Sequence, residues 1–328
     1  MNIYLTFDYE LFFGPASGSV EKCMIEPTNK LLAIAKRFEI PMTFFVDAGF
    51  LIRLEEESIN YSELAVDLAK IKNQLAEIIS LGSSIQLHIH PHWEKAKYEN
   101  GKWNIDVTNC YKLSDFPDEE IDSIVERYKL YLDGLIQNKT IAFRAGGWCI
   151  QPFGKLYSIF KRLEIKIDSS VFAGAYFESA DYFFDFRNAP KKDKYLFEKD
   201  VCEEVENGFF TEYPISSFKY SPLFYWRLYI LGRLFPSQHK MLGDGVFLAQ
   251  PGRKKSVLTN FTWNHVSTDG FYASKLEACL KAKSKRQDKE FVVIGHPKGN
   301  TLYSLRKLEQ FVRDNYTKHA FKTFSDQV

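Results

Sequence analysis

Apolar and polar positions alternate along this chain between two regular patterns. Short runs rich in β-branched and aromatic residues recur at residues 2–7 (NIYLTF), 42–46 (MTFFV), 84–89 (SIQLHI), 140–144 (TIAFR), 165–169 (IKIDS), 209–215 (FFTEYPI) and 291–295 (FVVIG). Their length and composition predict buried strands. Longer segments of helical period separate them and carry boundary signals. PTNKLLAIAKRF puts Pro27 at a first helical position, and NYSELAVDLAKIKNQLAEIISLG offers Asn60 as cap, Glu63 three residues on and Gly82 as stop. PDEEIDSIVERYKLYLDGLI starts acidic, as the positive end of a helix dipole favours. The βαβα order predicts an α/β fold with a mainly parallel sheet, curled as a distorted (β/α) barrel of about seven parallel strands.

The alternation lapses between about residues 172 and 262, a stretch read as an insertion within a single domain over residues 1–328. Within it, residues 222–235 (PLFYWRLYILGRLF) are apolar around most of a helical turn, with Arg227 and Arg233 as the only charges. Two readings stay open. The helix is buried against the sheet or a second copy, or it makes a peripheral contact with a membrane face, where aromatics and arginines suit the interface.

Composition narrows the partners. Forty-three Lys and Arg against 42 Asp and Glu leave a formal net charge of +1, so no general field attracts nucleic acid. Five cysteines form an odd set without C-x-x-C spacing, which argues against a disulfide framework and a cysteine zinc site. The opening MNIYLTFDYE lacks a basic-then-apolar leader, and no apolar run approaches the ~20 residues of a membrane span. A cytoplasmic location is expected, with the inner membrane face as the peripheral alternative.

Candidate chemistry begins at QLHIHPHW, which holds His88, His90 and His92, three of seven histidines. His88 and His92 have the i,i+4 spacing that lets two imidazoles meet one ion if the backbone turns helical after the strand SIQL. In an extended strand they would stand ~13 Å apart, too far for one metal. Pro91 favours a change of direction. A metal pair and a bland loop-end cluster are equally compatible with the motif alone. Asp8 and Glu10 in TFDYE end the first strand, where an Asp is disfavoured. Strand ends of a parallel sheet face one side, so Asp8, Glu10, the histidines, Arg144, Asp168 and His296 should converge there.

The order TFDYE, HIHPH, FRAGGW, IDSSV, VIGHPKG resembles the successive motifs of the polysaccharide deacetylases, the NodB-homology group or carbohydrate esterase family 4. The resemblance runs from residue 2 to about 300, apart from the insertion. It implies a distorted (β/α) barrel that removes acetyl groups from sugars with a divalent metal, commonly zinc. It also implies His88 and His92 as ligands, with His90 matching no ligand position. The first motif is similar to a D-x-E variant, giving Asp8 as base and Glu10 as third ligand. Arg144 would hold Asp8 ionised, and His296 would protonate the leaving amine, with Asp168 as its partner. RAGGW lacks the family's proline; Gly146 and Gly147 would shape that loop, and Trp148, with Tyr9, would contact the sugar. The expected activity is deacetylation of an N-acetylated sugar or glycoconjugate in surface polysaccharide biosynthesis. Two alternatives remain: a C–N hydrolase of a non-sugar amide, and a catalytically degenerate protein that binds carbohydrate or a partner.

Overall fold

The computed structural model describes residues 1–248, 250 and 252–327. Each of the seven apolar runs contains a strand. The first three are β1 (Asn2–Tyr9), β2 (Thr43–Asp47) and β3 (Ser84–Ile89), followed by Ala142–Ala145, Ile167–Asp168, Phe210–Glu212 and Glu290–Gly295. Across the main sheet the order is Tyr195–Phe197, Phe210–Glu212, Ile167–Asp168, Ala142–Ala145, β3, β2, β1, Glu290–Gly295, with Ala320–Phe321 also pairing β1. Every pairing along this path is parallel except the antiparallel edge strand Tyr195–Phe197. Single bridges from Ile215 to Val292 and from Ser267 to Ile294 draw the chain beyond Phe210–Glu212 onto Glu290–Gly295, so the sheet curls.

Helices Glu26–Phe38, Ser62–Ser80, Asp118–Ile136 and Leu302–Asn315 connect the strands. Odd positions of β1 pack outward: Leu5, Phe7 and Tyr9 are buried, and the Tyr9 hydroxyl donates to Gln74 Oε1 of the Ser62–Ser80 helix at 2.8 Å. Even positions Thr6, Asp8 and Glu10 face the concave side, as period-two alternation requires. The five cysteines remain free thiols. No helix among the described residues is long and apolar enough to cross a membrane.

The expected insertion is not one block. Tyr195–Phe197 and Phe210–Glu212 belong to the main sheet, the latter parallel to Ile167–Asp168. The run 209–215 marks the second of these strands, whereas Tyr195–Phe197 carries no periodic signal because it is three residues long and irregular chain joins it to its partner. The remainder is a hairpin, Tyr176–Glu178 with Phe183–Asp185, and a cap. In the cap Ser217–Tyr220 pairs antiparallel with Thr262–His265, and between them run helices Pro222–Leu234, Pro236–His239 and Arg253–Thr259.

Candidate active site

Parallel pairing brings the C-terminal ends of β1, β3, Ala142–Ala145 and Glu290–Gly295 to one rim. Arg144 is fully buried in the concave face. Its Nη1 donates to Asp8 Oδ1 at 2.8 Å and to Thr6 Oγ1 at 2.9 Å, and its Nε donates to the Ser169 carbonyl at 2.8 Å. The guanidinium also lies 4.2 Å from the Phe45 ring centroid. Asp8 therefore keeps one oxygen on a fixed cation and turns the other toward His296 Nε2, 3.6 Å away.

His88 and His90 both face Glu10. His88 Nδ1 lies 2.7 Å from the Arg144 carbonyl, which can only accept, so Nδ1 carries the proton and Nε2 points at Glu10 Oε2, 3.1 Å away. His90 Nε2 is 2.7 Å from the same oxygen, yet neither ring nitrogen of His90 has a hydrogen-bond partner in the protein. The donor atoms of Glu10, His88 and His90 all lie within 4.8 Å of one another. A buried carboxylate with two imidazole nitrogens aimed at one of its oxygens fits a divalent cation, which takes such N and O donors at ~2.0–2.2 Å. The outer hydrogen bond that orients a metal-bound imidazole is present for His88, through the Arg144 carbonyl, and absent for His90.

His92 is outside this group. The expected i,i+4 pair required a helical turn directly after SIQL, but β3 continues to Ile89, His90 is still extended, and the tight turn starts at Pro91. Extended backbone puts His88 and His90, two apart, on one face. The His92 ring instead packs 4.5 Å from Phe13 and parallel to Tyr111, with both nitrogens unpartnered.

Lys298 completes the polar cluster and was not anticipated. Its ammonium is 2.9 Å from Glu10 Oε1, donates to the Leu11 carbonyl, and lies over the Phe12 and Phe13 rings. It follows His296 by two residues, the one signal that could have drawn notice. Burial pushes the Glu10 carboxyl up, but Lys298 and the two histidines outweigh it and hold it well below its usual range. Burial likewise opposes charge on His88, yet Asp8, Glu10 and Asp47 raise it to about 9, while burial lowers His90 to about 4. Positive charge beside Glu10 is thus supplied by Lys298 and favoured on His88, and a metal between the imidazoles and Glu10 would serve in place of the His88 proton.

The partner of His296 is Asp269, not Asp168. His296 Nδ1 lies 2.7 Å from Asp269 Oδ2, and the His296 backbone N–H donates to Asp269 Oδ1 at 2.8 Å. Burial works to lower His296, but Asp269 outweighs it and raises the imidazole above its ordinary value. Asp168 accepts from Ser170 N and Oγ and neighbours Glu212 across the strand pair. Its strand-end position and the place of IDSSV in the motif order pointed to Asp168, and Asp269 was invisible because it follows the irregular cap.

These groups form the floor of a cavity of about 640 Å³. Trp148 lines one wall, its ring 5.0 Å from that of His265, a second residue that sequence reasoning missed. Leu228, Tyr229 and Gly232 of the Pro222–Leu234 helix form the roof. Tyr9 does not line it, because its odd position on β1 turns it into the helix layer.

The architecture is a curled, mostly parallel α/β sheet with a buried carboxylate and imidazole cluster at its strand ends. No family model matches the sequence, and no curated protein matches it. Solved structures do match in fold. A candidate polysaccharide deacetylase from Mycobacterium smegmatis superimposes with a TM-score of 0.52 at 15% identity, over 99% of this chain and 87% of its own. A GH57 branching enzyme from Thermococcus kodakaraensis, in complex with glucose, gives 0.52 at 8% identity, over 99% and 70%. The family 4 carbohydrate esterase from Streptomyces lividans, in complex with acetate, aligns over 100% and 94% at 12% identity, with a TM-score of 0.41. The chain has the fold of the polysaccharide deacetylases. Because a branching enzyme shares it, the reaction has to be argued from the site.

Proposed function

We propose that this chain is a metal-dependent deacetylase, on a distorted (β/α) barrel, that hydrolyses the N-acetyl group of a sugar or glycoconjugate in surface polysaccharide biosynthesis. The observation that carries the reading is the convergence of Glu10, His88 and His90 beside two further titratable groups, Asp8 and His296, each held by its own counter-ion. Glu10, His88 and His90 would hold the metal, most simply zinc. Such an ion supplies Lewis acidity toward a carbonyl and lowers the pKa of water.

The chain's own groups do the rest. Asp8, fixed by Arg144 and reaching toward the cavity, takes the proton of the attacking water as general base. His296, whose protonated form Asp269 favours, lies on the opposite side of Asp8 from Arg144's contact and hands its proton to the leaving amine. Trp148 lines the cavity and offers an aromatic face suited to the face of a sugar ring. Release of acetate from N-acetylhexosamine substrates, abolished in Asp8→Asn, tests the reading. Release from simple acyl amides but not from sugars would turn it to the non-sugar amide hydrolase.

One observation favours a second reading. Lys298 already neutralises Glu10 at 2.9 Å, so the cluster could stand without a metal as a carbohydrate-binding remnant. A protein that folds, binds no divalent ion and binds sugar would support it.

A further inference from the structure

The Pro222–Leu234 helix has two unlike faces. Leu228 and Gly232 look into the cavity, whereas Leu223, Trp226, Ile230 and Leu234 lie along the opposite side with relative exposures of 60, 50, 49 and 66%. At 100° per residue these four fall within about 80° of arc, so they form a continuous apolar ridge. Only Phe224 and Tyr225 of this helix are buried. Phe235, also about half exposed, follows the ridge at its C-terminal end.

Charge is distributed with equal bias. Residues 213–268 carry seven Lys and Arg (219, 227, 233, 240, 253, 254, 255) and one acid, Asp244. The remaining chain has 36 Lys and Arg against 41 Asp and Glu, so a cap of +6 sits on a body of −5. Arg227 borders the apolar ridge, and Lys254 and Lys255 are exposed on the adjoining Arg253–Thr259 helix, with Lys254 5.0 Å over the Tyr229 ring.

We infer that this cap face docks the protein on an anionic membrane surface. Apolar side chains reach the headgroup and acyl boundary while the flanking cations meet anionic lipid, the arrangement of interfacial helices. A second copy fits worse. A two-fold contact through this face would bring two surfaces rich in Lys and Arg together, with no acidic residue among the described residues of the face to offset them. Exposed Arg233 lines the cavity and lies one turn from Ile230 on the same helix, so the cavity rim adjoins the docking face.

Co-sedimentation of the full chain with phosphatidylglycerol vesicles and with phosphatidylcholine vesicles tests the inference, with no reference to catalysis. Binding to the former and little to the latter is expected. Leu223→Ser with Ile230→Ser should abolish it. Arg227→Gln with Lys255→Gln should weaken it roughly 25-fold, about fivefold per charge. All four positions are exposed, and unchanged thermal melting checks that the variants fold. Absence of wild-type binding, or binding indifferent to both variants, overturns the inference. So does a dimer in sedimentation equilibrium that Leu223→Ser with Ile230→Ser converts to monomer, which would assign the face to a second copy.

Discussion

His90 Nε2 lies 2.7 Å from Glu10 Oε2 without making a hydrogen bond to it. Two buried polar groups at that distance, each unsatisfied by the other, are costly unless both serve a third partner. The expected outcome is one divalent ion per chain, read by elemental analysis or isothermal titration with zinc. His88→Ala, His90→Ala and Glu10→Ala should each lower affinity by at least about 100-fold, more than loss of an outer hydrogen bond to a ligand causes. His92→Phe should bind as the parent does. It should also melt somewhat higher, since it removes two unpartnered buried nitrogens and keeps the packing on Phe13 and Tyr111. Metal loss in His92→Phe with retention in His90→Ala would restore the ligand pair that the His-x-x-x-His spacing suggests.

The contrast between these histidines shows where the sequence was legible. Strand positions followed from apolar runs, because burial on both faces of a parallel strand leaves little freedom in composition. The convergence of Asp8, Glu10, His88, Arg144 and His296 followed from parallel strand ends. The choice between His90 and His92 depended on whether the strand ended one turn before Pro91 or at it, and boundaries of that kind are set by tertiary pairing, here to Arg144 and Ala145. Asp269 and His265 come from a cap whose course no local periodicity announces. Tyr9 was misplaced for a simpler reason: its neighbours at 8 and 10 claim the concave face, so alternation alone excludes it.

Gly146 is a second determinant of the ligand geometry. A Cβ at this position would stand 2.5 Å from His90 Nδ1 and 2.6 Å from the Ile89 carbonyl, so the loop reaches His90 only because residue 146 has no side chain. Gly146→Ala should therefore weaken zinc binding by tenfold or more, by pushing the ring off Glu10. Gly134→Ala, in the Asp118–Ile136 helix with open space around it, should bind zinc normally and gain up to about 1 kcal/mol in stability. Equal zinc affinity in both variants would show that the His90 ring position is not critical.

Arg144 and Asp8 should separate catalysis from folding. Asp8→Asn keeps the size and one acceptor oxygen for Arg144 but removes the base, so kcat should fall by about 10²–10⁴ with bound metal retained. Arg144→Ala leaves a buried carboxylate without its cation, and urea denaturation should report a loss of roughly 3–5 kcal/mol. Full activity in Asp8→Asn would remove it from the mechanism.

His296 sets the expected alkaline limb of the pH–rate profile. As general acid it must carry a proton, and Asp269 raises it above the ordinary histidine value against the opposing effect of burial. Activity should hold through neutrality and decline as pH rises through that raised value. In Asp269→Asn the raising charge is gone, so the decline should shift to lower pH, while the metal content stays constant. An alkaline limb that does not move would mean that another group titrates there.

Glu212 and Asp168 give a stability test away from the cavity. Both are buried, and burial raises both carboxyls, Glu212 further because Asp168 lies beside it. A carboxyl raised above its unfolded value of 4.5 holds a proton in the folded protein that the unfolded chain releases. Its contribution is fully present below the unfolded pKa and is lost as pH rises through the folded one. The urea midpoint should therefore fall from mildly acidic to alkaline pH. Glu212→Gln keeps the shape, cannot ionise and removes the charge facing Asp168, so its midpoint should fall less over the same interval. A parent midpoint that rises toward alkaline pH would mean that the pair is ionised in the fold, with a counter-charge sufficient to hold it so.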